Sequence, residues 1–544
     1  MSKRIKQKTA DLYLLLCILI FIMSTVYNHS IFYSLLNQSV VWYQLKQVLA
    51  LLGLFWLGKL VVVVSTDYID IKWKYLLALP TGICVWSLLS FLFLMLEIPY
   101  TICIMFVSVM AIVLVGGTFL KRREKISCLW YRKYDVITLG CFILASTGFV
   151  FVFLSYDSYY YFINYGNTLT IVDGFAEIAG DNSFTLTNIG QFLPLLNSYT
   201  AFWGIDQSYF IQAALLANLI LIFAYGFYCL IGGEEKRNDA RRLSILFSVL
   251  LSTSMSFIII GGWVLANMYC MVYITILIIL PEVIKDRREI IFVNILYFAA
   301  LALLRKDGLV FVAFLVVCFS AGRRFTKKEL TAMVLPGIVL QFWWIVYVRL
   351  VIEADVNQAV GTSITNNTNI FFLVAVVILM LGFVWGCQPI YEFLIEKRAK
   401  WNIFEFLLSG ILIFLFVIFC INPVKTVDFV DVVIKNMFRF PSSWGWTAYF
   451  FIGLFMVSLC AGLRIQYLDF VWIGYSIFNF ISYAIAKGGG WVNWDDSYNR
   501  VLMQIIPIMV MAIGIRIVQL LRNDCSISKN ELKSLENTEF SGQK

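Results

Sequence analysis

The segment LSYDSYYYFINYG, at 154–166, contains the residue best suited to proton transfer. Asp157 stands where an apolar run ends, and four tyrosines follow it within eight positions. A carboxylate that is partly removed from water has its pKa raised toward the range of a general base. An Asp at this place can equally cap a helix by accepting a hydrogen bond from a free backbone N–H group. The tyrosines favour a belt at the membrane surface, with stacking of a sugar on Tyr160 as the alternative.

A second group of charges interrupts the apolar segment LALLRKDGLVFVAF, at 301–314. Arg305, Lys306 and Asp307 are adjacent there. Charged side chains at membrane depth are costly, so they generally face a cavity or a partner. The guanidinium fork of Arg and the ammonium group of Lys suit a phosphate ligand. The alternative is a tight turn in which Arg305 pairs with Asp307, an acid that otherwise is a candidate to assist Asp157.

The segment GGGWVNWDDSYNR, at 488–500, offers a third set of candidates. Trp491 and Trp494 can stack on a sugar ring or anchor the chain at the membrane surface. Arg500 is placed to bind a lipid phosphate at the level of the headgroups. Asp496 is a further candidate to assist the base. With the preceding acid it forms an adjacent pair, which is a weak signal for a metal, so a divalent cation is possible but not indicated.

The segment VDGFAEIAGDNSF, at 172–184, predicts a short amphipathic helix on the membrane surface. Asp173 and Glu177 are four residues apart and would share one face of that helix. Either acid is a candidate to assist Asp157, although a simple polar helix face is the more common reason for such a pair.

Composition identifies the class of protein that must position these residues. Of 544 residues, 61% are hydrophobic and 14% are charged, and the mean hydropathy is +0.84. These values are typical of a polytopic membrane protein rather than a soluble one. His29 is the only histidine, which excludes sites built from several histidines, and no Ser-His-Asp triad is indicated. The 12 cysteines include no CxxC pair, so neither a zinc site nor a disulfide framework is indicated.

The hydropathy pattern predicts an all-α, polytopic transmembrane protein with about 16 spans, within a range of 14–16. The outer loops are short apart from the one that begins at Asp157. Lys59 is a lone cation inside a span. The predicted spans are 11–28, 47–66, 75–96, 100–119, 135–156, 209–231, 243–260, 263–281, 290–304, 308–321, 331–348, 370–390, 403–421, 446–462, 467–486 and 501–520.

The distribution of basic residues predicts the orientation. With a cytoplasmic N-terminus, cytoplasmic segments contain about 32 of the 42 Lys and Arg residues, as the positive-inside rule requires. This predicts a protein of the cell membrane with both termini on the cytoplasmic side. The outer segment 157–208 contains no Lys or Arg. We divide the chain into a four-span module of unknown role at 1–134, a catalytic region at 135–521 and a polar tail at 522–544, which we expect to be disordered.

These features together resemble the GT-C superfamily of integral-membrane glycosyltransferases, in particular the bacterial protein mannosyltransferase and aminoarabinose transferase relatives. Family members open their first long outer loop with a catalytic acid, which Asp157 matches, and that loop contains a juxtamembrane helix. Their late R-Y-L-x-P-L-x-P motif is similar to NRVLMQIIP, with Arg500 and Pro507. Two features depart from the family. The acid follows the fifth predicted span rather than the first, and Ser158 replaces the second acid of the usual pair.

The resemblance implies a function. The donor would be a sugar on a polyprenyl phosphate, and the acceptor an envelope polysaccharide, teichoic acid, lipid or protein. Asp157 would be the base of an inverting transfer on the outer face, with Arg305, Lys306 and Arg500 binding the donor phosphate. An envelope polysaccharide polymerase or ligase is one alternative. A lipid-linked glycan transporter is another, which Lys59 favours. Nucleic acid is not an expected partner.

Overall fold

The protein is built from α-helices, and no β-strand occurs among the residues that the structure describes. This agrees with the all-α prediction. The computed structural model describes residues 9–23, 40–121, 131–147, 162–178, 190–205, 208–232, 237–262, 266–305, 308–350, nine positions between 374 and 386, 402–421, 423–434, 438, 444–486 and 497–521.

Apart from the helical positions between 374 and 386, twenty α-helices follow one another along these residues. In chain order they are α1 (Thr9–Met23), α2 (Val40–Ser65), α3 (Ile71–Met95), α4 (Tyr100–Lys121), α5 (Arg132–Ser146), α6 (Tyr165–Thr168), α7 (Phe192–Phe202), α8 (Tyr209–Leu230), α9 (Arg237–Ser252), α10 (Met255–Gly262), α11 (Ala266–Val283), α12 (Arg288–Leu304), α13 (Gly308–Ala321), α14 (Lys327–Leu350), α15 (Ile403–Ile421), α16 (Pro423–Ile434), α17 (Trp446–Cys460), α18 (Tyr467–Ala486), α19 (Ser497–Met503) and α20 (Ile506–Leu521).

The chain divides into two compact units. The first contains residues 1–222 and 261–390, and the second contains residues 223–260 and 391–544. Helices of the predicted N-terminal module pack inside the first unit with helices from later in the chain. Thr81 of α3, for example, lies 2.8 Å from the hydroxyl of Tyr297 in α12. The division between the units therefore does not coincide with the predicted boundary after residue 134.

Many of the helices are long and apolar enough to cross a membrane. By length and composition, α2, α3, α8, α11, α14 and α15 each qualify, and α9 with α10 would form a seventh span. Shorter apolar helices include α1, α4, α13, α17 and α20. Each of these helices overlaps a predicted span, which supports a multi-pass helical membrane protein. The total of sixteen spans stays a prediction.

The predicted span at 243–260 is broken rather than continuous. Helices α9 and α10 meet at an angle of 63°. Three successive hydroxyl side chains at the break bond back to carbonyls of the preceding turn: Ser252 and Thr253 to Val249, and Ser254 to Leu251. Such bonds offer the backbone an alternative to the regular helix ladder and bend it. The STS sequence at 252–254 therefore accounts for the break.

Helices α2 and α3 pack closely because glycines remove side chains from their contact. A Cβ atom on Gly58 would overlap the backbone of Ala78 and Gly82, and one on Gly82 would overlap the carbonyl of Leu54. Small residues allow helix backbones to approach in this way inside membranes, where packing rather than hydrophobicity holds helices together.

Lys59, the lone cation predicted within a span, is fully buried in the first unit. Its ammonium nitrogen lies 3.0 Å from Asp135 of α5, which is 27% exposed. The Tyr75 hydroxyl also donates to Asp135, at 2.5 Å, and the Lys59 nitrogen lies 3.7 Å from the centre of the Tyr75 ring. A carboxylate and an aromatic ring together compensate the buried charge. Lys59 therefore does not point outward along its helix to reach water.

Three helices begin with a cap that their sequences encode. The Glu329 carboxylate accepts from the backbone N–H of Thr326 before α14, and Glu405 accepts from Asn402 before α15. Asp469 accepts from the backbone N–H of Gln466 before α18. An acid three residues into a helix that bonds back to the capping residue stabilises the first turn.

Candidate functional site

Arg305 lies at a sharp chain reversal between α12 and α13. Helix α12 ends at Leu304, Arg305 is extended, and the N–H of Gly308 donates to the carbonyl of Arg305 at 3.0 Å. A Cβ atom on Gly308 would overlap the carbonyls of Leu301 and Ala302, so the reversal requires glycine. Helices occupy the predicted positions on both sides of the charged break.

The side chain of Arg305 is fixed by a neighbouring helix. Its guanidinium donates to the Oδ1 atom of Asn267 at 2.9 Å and lies 5.9 Å from the centre of the Phe311 ring. Asn267 is in the first turn of α11 and is 5% exposed. Arg305 itself is half-buried. A guanidinium that is already oriented in this way loses little freedom when it binds an anion.

The later part of the predicted outer segment packs directly on this reversal. A Cβ atom on Gly190 would overlap backbone atoms of Leu304 and Arg305. The next residue, Gln191, accepts a hydrogen bond from the Tyr165 hydroxyl at 3.0 Å. Burial raises the pKa of the Tyr165 phenol well above its ordinary value, so this hydroxyl stays a donor. The two described stretches of the outer segment are therefore joined to each other beside Arg305.

The outer segment also contains a buried helix, α7, that the sequence reasoning missed. Ser198 of α7 donates to the hydroxyl of Tyr100 at 2.9 Å, and Tyr199 donates to the carbonyl of Ala50 at 2.9 Å. The signal was the apolar stretch FLPLLNSYTAF at 192–202, which is too short for a span. Helix α7 makes this part of the segment a fixed wall of the first unit rather than a loop.

The predicted amphipathic helix at 172–184 is a single 3₁₀ turn, Phe175–Ile178, in the part that the structure describes. Phe175 is buried, and its ring packs against those of Phe91 and Trp344 at 5.9 and 5.0 Å between centres. The exposed carboxylate of Glu177 accepts from the backbone N–H of Asp173 at 3.0 Å. The two acids are therefore joined by a turn cap, whereas their spacing had predicted a shared face of a helix.

Arg500 is half-buried in α19, in the second unit, whereas Arg305 belongs to the first. The predicted span at 501–520 begins later than expected, because α19 stops at Met503 and α20 starts at Ile506 with Pro507 in its first turn. The remaining candidates lie outside the described residues; these are Asp157, Tyr160, Lys306, Asp307, Trp491, Trp494 and Asp496. Among the residues that are described, no three His, Cys, Asp or Glu side chains are grouped closely enough to hold a metal ion.

Comparison with known proteins does not assign the chain to a family. No family model, no curated protein and no solved structure matches the chain.

Gly190 provides a test of the contact between the outer segment and the Arg305 reversal. Replacing Gly190 by Ala is expected to lower the free energy of unfolding by about 1–3 kcal/mol, because backbone atoms on both sides must move apart. Thermal unfolding of the purified protein in a mild detergent measures this change. Gly116→Ala in α4 is the matched control, since nothing lies within 4 Å of its new Cβ atom. Equal unfolding temperatures for the two variants would show that the contact is absent.

Proposed function

We propose that this protein is a membrane glycosyltransferase that acts on the outer face of the cell membrane. The donor is a sugar carried on a polyprenyl phosphate, and the acceptor is a hydroxyl group of an envelope polysaccharide, teichoic acid, lipid or protein. The chain has about sixteen spans with both termini in the cytoplasm, in the manner of GT-C enzymes.

The observation that carries the proposal is the placement of Arg305. The outer segment that opens with Asp157 packs at Gly190 against the backbone of Leu304 and Arg305, and Asn267 orients the Arg305 guanidinium. Arg305 is thus an oriented cation in contact with the segment that contains Asp157, the candidate general base. Such a cation can stabilise the charge that develops on a leaving phosphate.

The chemistry follows from these charges. The acceptor hydroxyl attacks the anomeric carbon and forms the new glycosidic bond, while Asp157 takes its proton. The bond between the anomeric carbon and the phosphate oxygen breaks, and its electron pair leaves with the lipid phosphate. The phosphate gains negative charge in this step, and Arg305 stabilises it, with Lys306 and Arg500 as the other candidate cations. Attack from the face opposite the leaving group inverts the anomeric centre.

The contacts within the first unit agree with the topology that this proposal requires. Glu289 accepts from the backbone N–H of Tyr68, and both residues are predicted to be cytoplasmic. Gly190 meets Leu304, and both are predicted to lie at the outer surface. In both cases, residues far apart in sequence are in contact and are predicted to lie on the same side of the membrane.

The transporter alternative loses its main sequence argument. Lys59 favoured transport because it is a cation within a span. Its ammonium group is bonded to Asp135 and covered by Tyr75, so the charge is accounted for without a transported ion.

A strain that lacks the gene tests the proposal. We expect the cell envelope to lose one sugar and the polyprenyl-phosphate donor to accumulate, and the wild-type gene to restore both. Arg305→Gln is expected to slow transfer in isolated membranes by about 10- to 100-fold, because one preorganised cation is lost at the leaving phosphate. The control is Arg132→Gln, whose side chain is 76% exposed. Accumulation of a pyrophosphate-linked oligosaccharide instead would favour a polymerase or ligase and contradict the proposal.

A further inference from the structure

A strongly cationic cleft lies in the first unit at the end of α12 that is far from Arg305, on the side predicted to be cytoplasmic. Its volume is about 830 Å³, within the range of pockets that hold small ligands. The end of α11, the start of α12, the end of α13 and the start of α14 surround it. Seven Lys and Arg residues line the cleft, against two acids, Asp286 and Glu329.

Part of this charge builds the walls. The guanidinium of Arg324 binds the Glu282 carboxylate through two nitrogens, at 2.5 and 2.7 Å. Arg287 donates to the carbonyls of Arg323 and Arg324 at 3.4 and 2.8 Å. Arg323 is held in a left-handed backbone conformation with φ of 48°, which is uncommon for a residue other than glycine. The loop between α13 and α14 is thus fixed against the turn between α11 and α12.

Three further cations are open to solvent at the cleft. Lys285, Arg288 and Lys328 are exposed, and within the described ranges none of the three forms an ion pair. The two lining acids are engaged by the backbone: Asp286 accepts from the N–H of Arg288, and Glu329 accepts from that of Thr326. Three unneutralised cations therefore face one concave space, which attracts an anion.

An apolar edge borders the cationic surface. Trp385 is 57% exposed, and the ammonium group of Lys327 lies 5.3 Å from the centre of its ring and donates to its carbonyl at 3.2 Å. Exposed tryptophans in membrane proteins typically lie at the level of the lipid headgroups. A ligand that combines an anionic head with an apolar body matches this border better than a wholly soluble anion.

We propose that this cleft binds the phosphate group of an anionic phospholipid from the cytoplasmic leaflet. The cations bind the phosphate, and Trp385 packs along the glycerol and the upper acyl chain. Basic pockets between helices on the cytoplasmic side bind phospholipid headgroups in this way. The positive-inside rule alone would explain basic loops, but it requires neither a concave arrangement nor two arginines that hold the loops together. The inference is independent of the proposed glycosyl transfer.

Ligand-induced stabilisation of the full-length protein in neutral detergent tests this site. The probes are dioctanoyl phosphatidylglycerol, dioctanoyl phosphatidylcholine and inorganic tripolyphosphate. We expect the phosphatidylglycerol to raise the unfolding temperature in a saturable manner and the phosphatidylcholine to have no such effect. The double variant Lys285→Gln/Lys328→Gln is expected to weaken the apparent affinity for phosphatidylglycerol by roughly 10- to 30-fold, because two exposed cations are lost.

The matched control removes two cations from elsewhere on the same predicted side. Arg241 and Arg242 are exposed in α9 and lie in the second unit. The double variant Arg241→Gln/Arg242→Gln is expected to keep the wild-type affinity. Equal losses in the two double variants would indicate general charge attraction and overturn the proposal. Stabilisation by tripolyphosphate but not by phosphatidylglycerol would identify a soluble phosphate ligand and also overturn it.

Discussion

Replacing Asp157 by Asn is expected to slow sugar transfer by about 10²–10⁴-fold while the protein still inserts and folds. Asn has nearly the same shape as Asp but cannot accept the proton of the attacking hydroxyl. The chain offers no histidine that could take over, since His29 is predicted to lie in a different outer loop. The initial rate at which membranes from the variant strain return the missing sugar to its acceptor measures the effect.

Asp239→Asn is the control for this experiment. Asp239 is an exposed acid in the first turn of α9, on the predicted cytoplasmic side, and its variant is expected to transfer sugar at the wild-type rate. A binding measurement with the lipid-linked donor separates catalysis from substrate affinity. We expect the Asp157→Asn variant to bind this donor as the wild type does. A variant at position 157 that restored transfer at the full rate would remove Asp157 as the base.

The sequence predicted best where charge and glycine interrupt an apolar run. The expected boundaries 290–304 and 308–321 nearly coincide with α12 and α13, because RKDG cannot continue a buried helix and glycine permits the reversal. The same reasoning identified Arg305 as a candidate. It could not identify Asn267, since a hydrogen bond across 38 residues depends on how α11 and α12 pack.

The sequence was a poor guide to structure where buried polar groups form hydrogen bonds or ion pairs among the helices. The break between α9 and α10 depends on hydroxyl groups that bond to their own backbone, and hydropathy does not register such bonds. Lys59 was visible as a cation within a span, but Asp135 is 76 residues further on and had been placed at the start of a different span. Periodicity assigns faces to helices, whereas the partner of a buried charge is decided by tertiary packing.

The outer segment shows why part of the candidate site stays a prediction. Its composition predicted a long outer region without Lys or Arg. In its described stretches, Tyr165 bonds to Gln191 of the same segment, and the ring of Phe175 packs on that of Trp344 in α14. The buried helix α7 resembles neither a span nor an amphipathic surface helix, because almost all its side chains are covered. Contacts with α2, α3 and α4 cover this apolar helix.

A buried ion pair in the second unit gives the largest expected effect on stability. Arg516 of α20 and Asp469 of α18 are each 1% exposed, and their nearest nitrogen and oxygen atoms lie 2.7 Å apart. Arg516 also donates to the hydroxyl of Ser458 at 2.7 Å and to the carbonyls of Leu463 and Arg464 at 3.1 and 2.9 Å. One guanidinium therefore fastens α20 to the turn that joins α17 and α18.

Asp469→Asn is expected to lower the free energy of unfolding by about 3–5 kcal/mol, because Arg516 keeps its charge and loses the carboxylate that compensates it. Unfolding of the purified protein in mixed micelles with increasing denaturing detergent measures the change. The matched control is Asp428→Asn in α16, which is exposed and is expected to change stability by less than about 0.5 kcal/mol.

The double variant Asp469→Leu/Arg516→Met distinguishes loss of the pair from loss of packing. It removes both charges and replaces them with apolar side chains, so it is expected to recover most of the stability that Asp469→Asn loses. If the double variant is as unstable as the single one, the polar bonds to Ser458, Leu463 and Arg464 hold the turn rather than the ion pair. If Asp469→Asn unfolds like Asp428→Asn, the pair does not stabilise this unit.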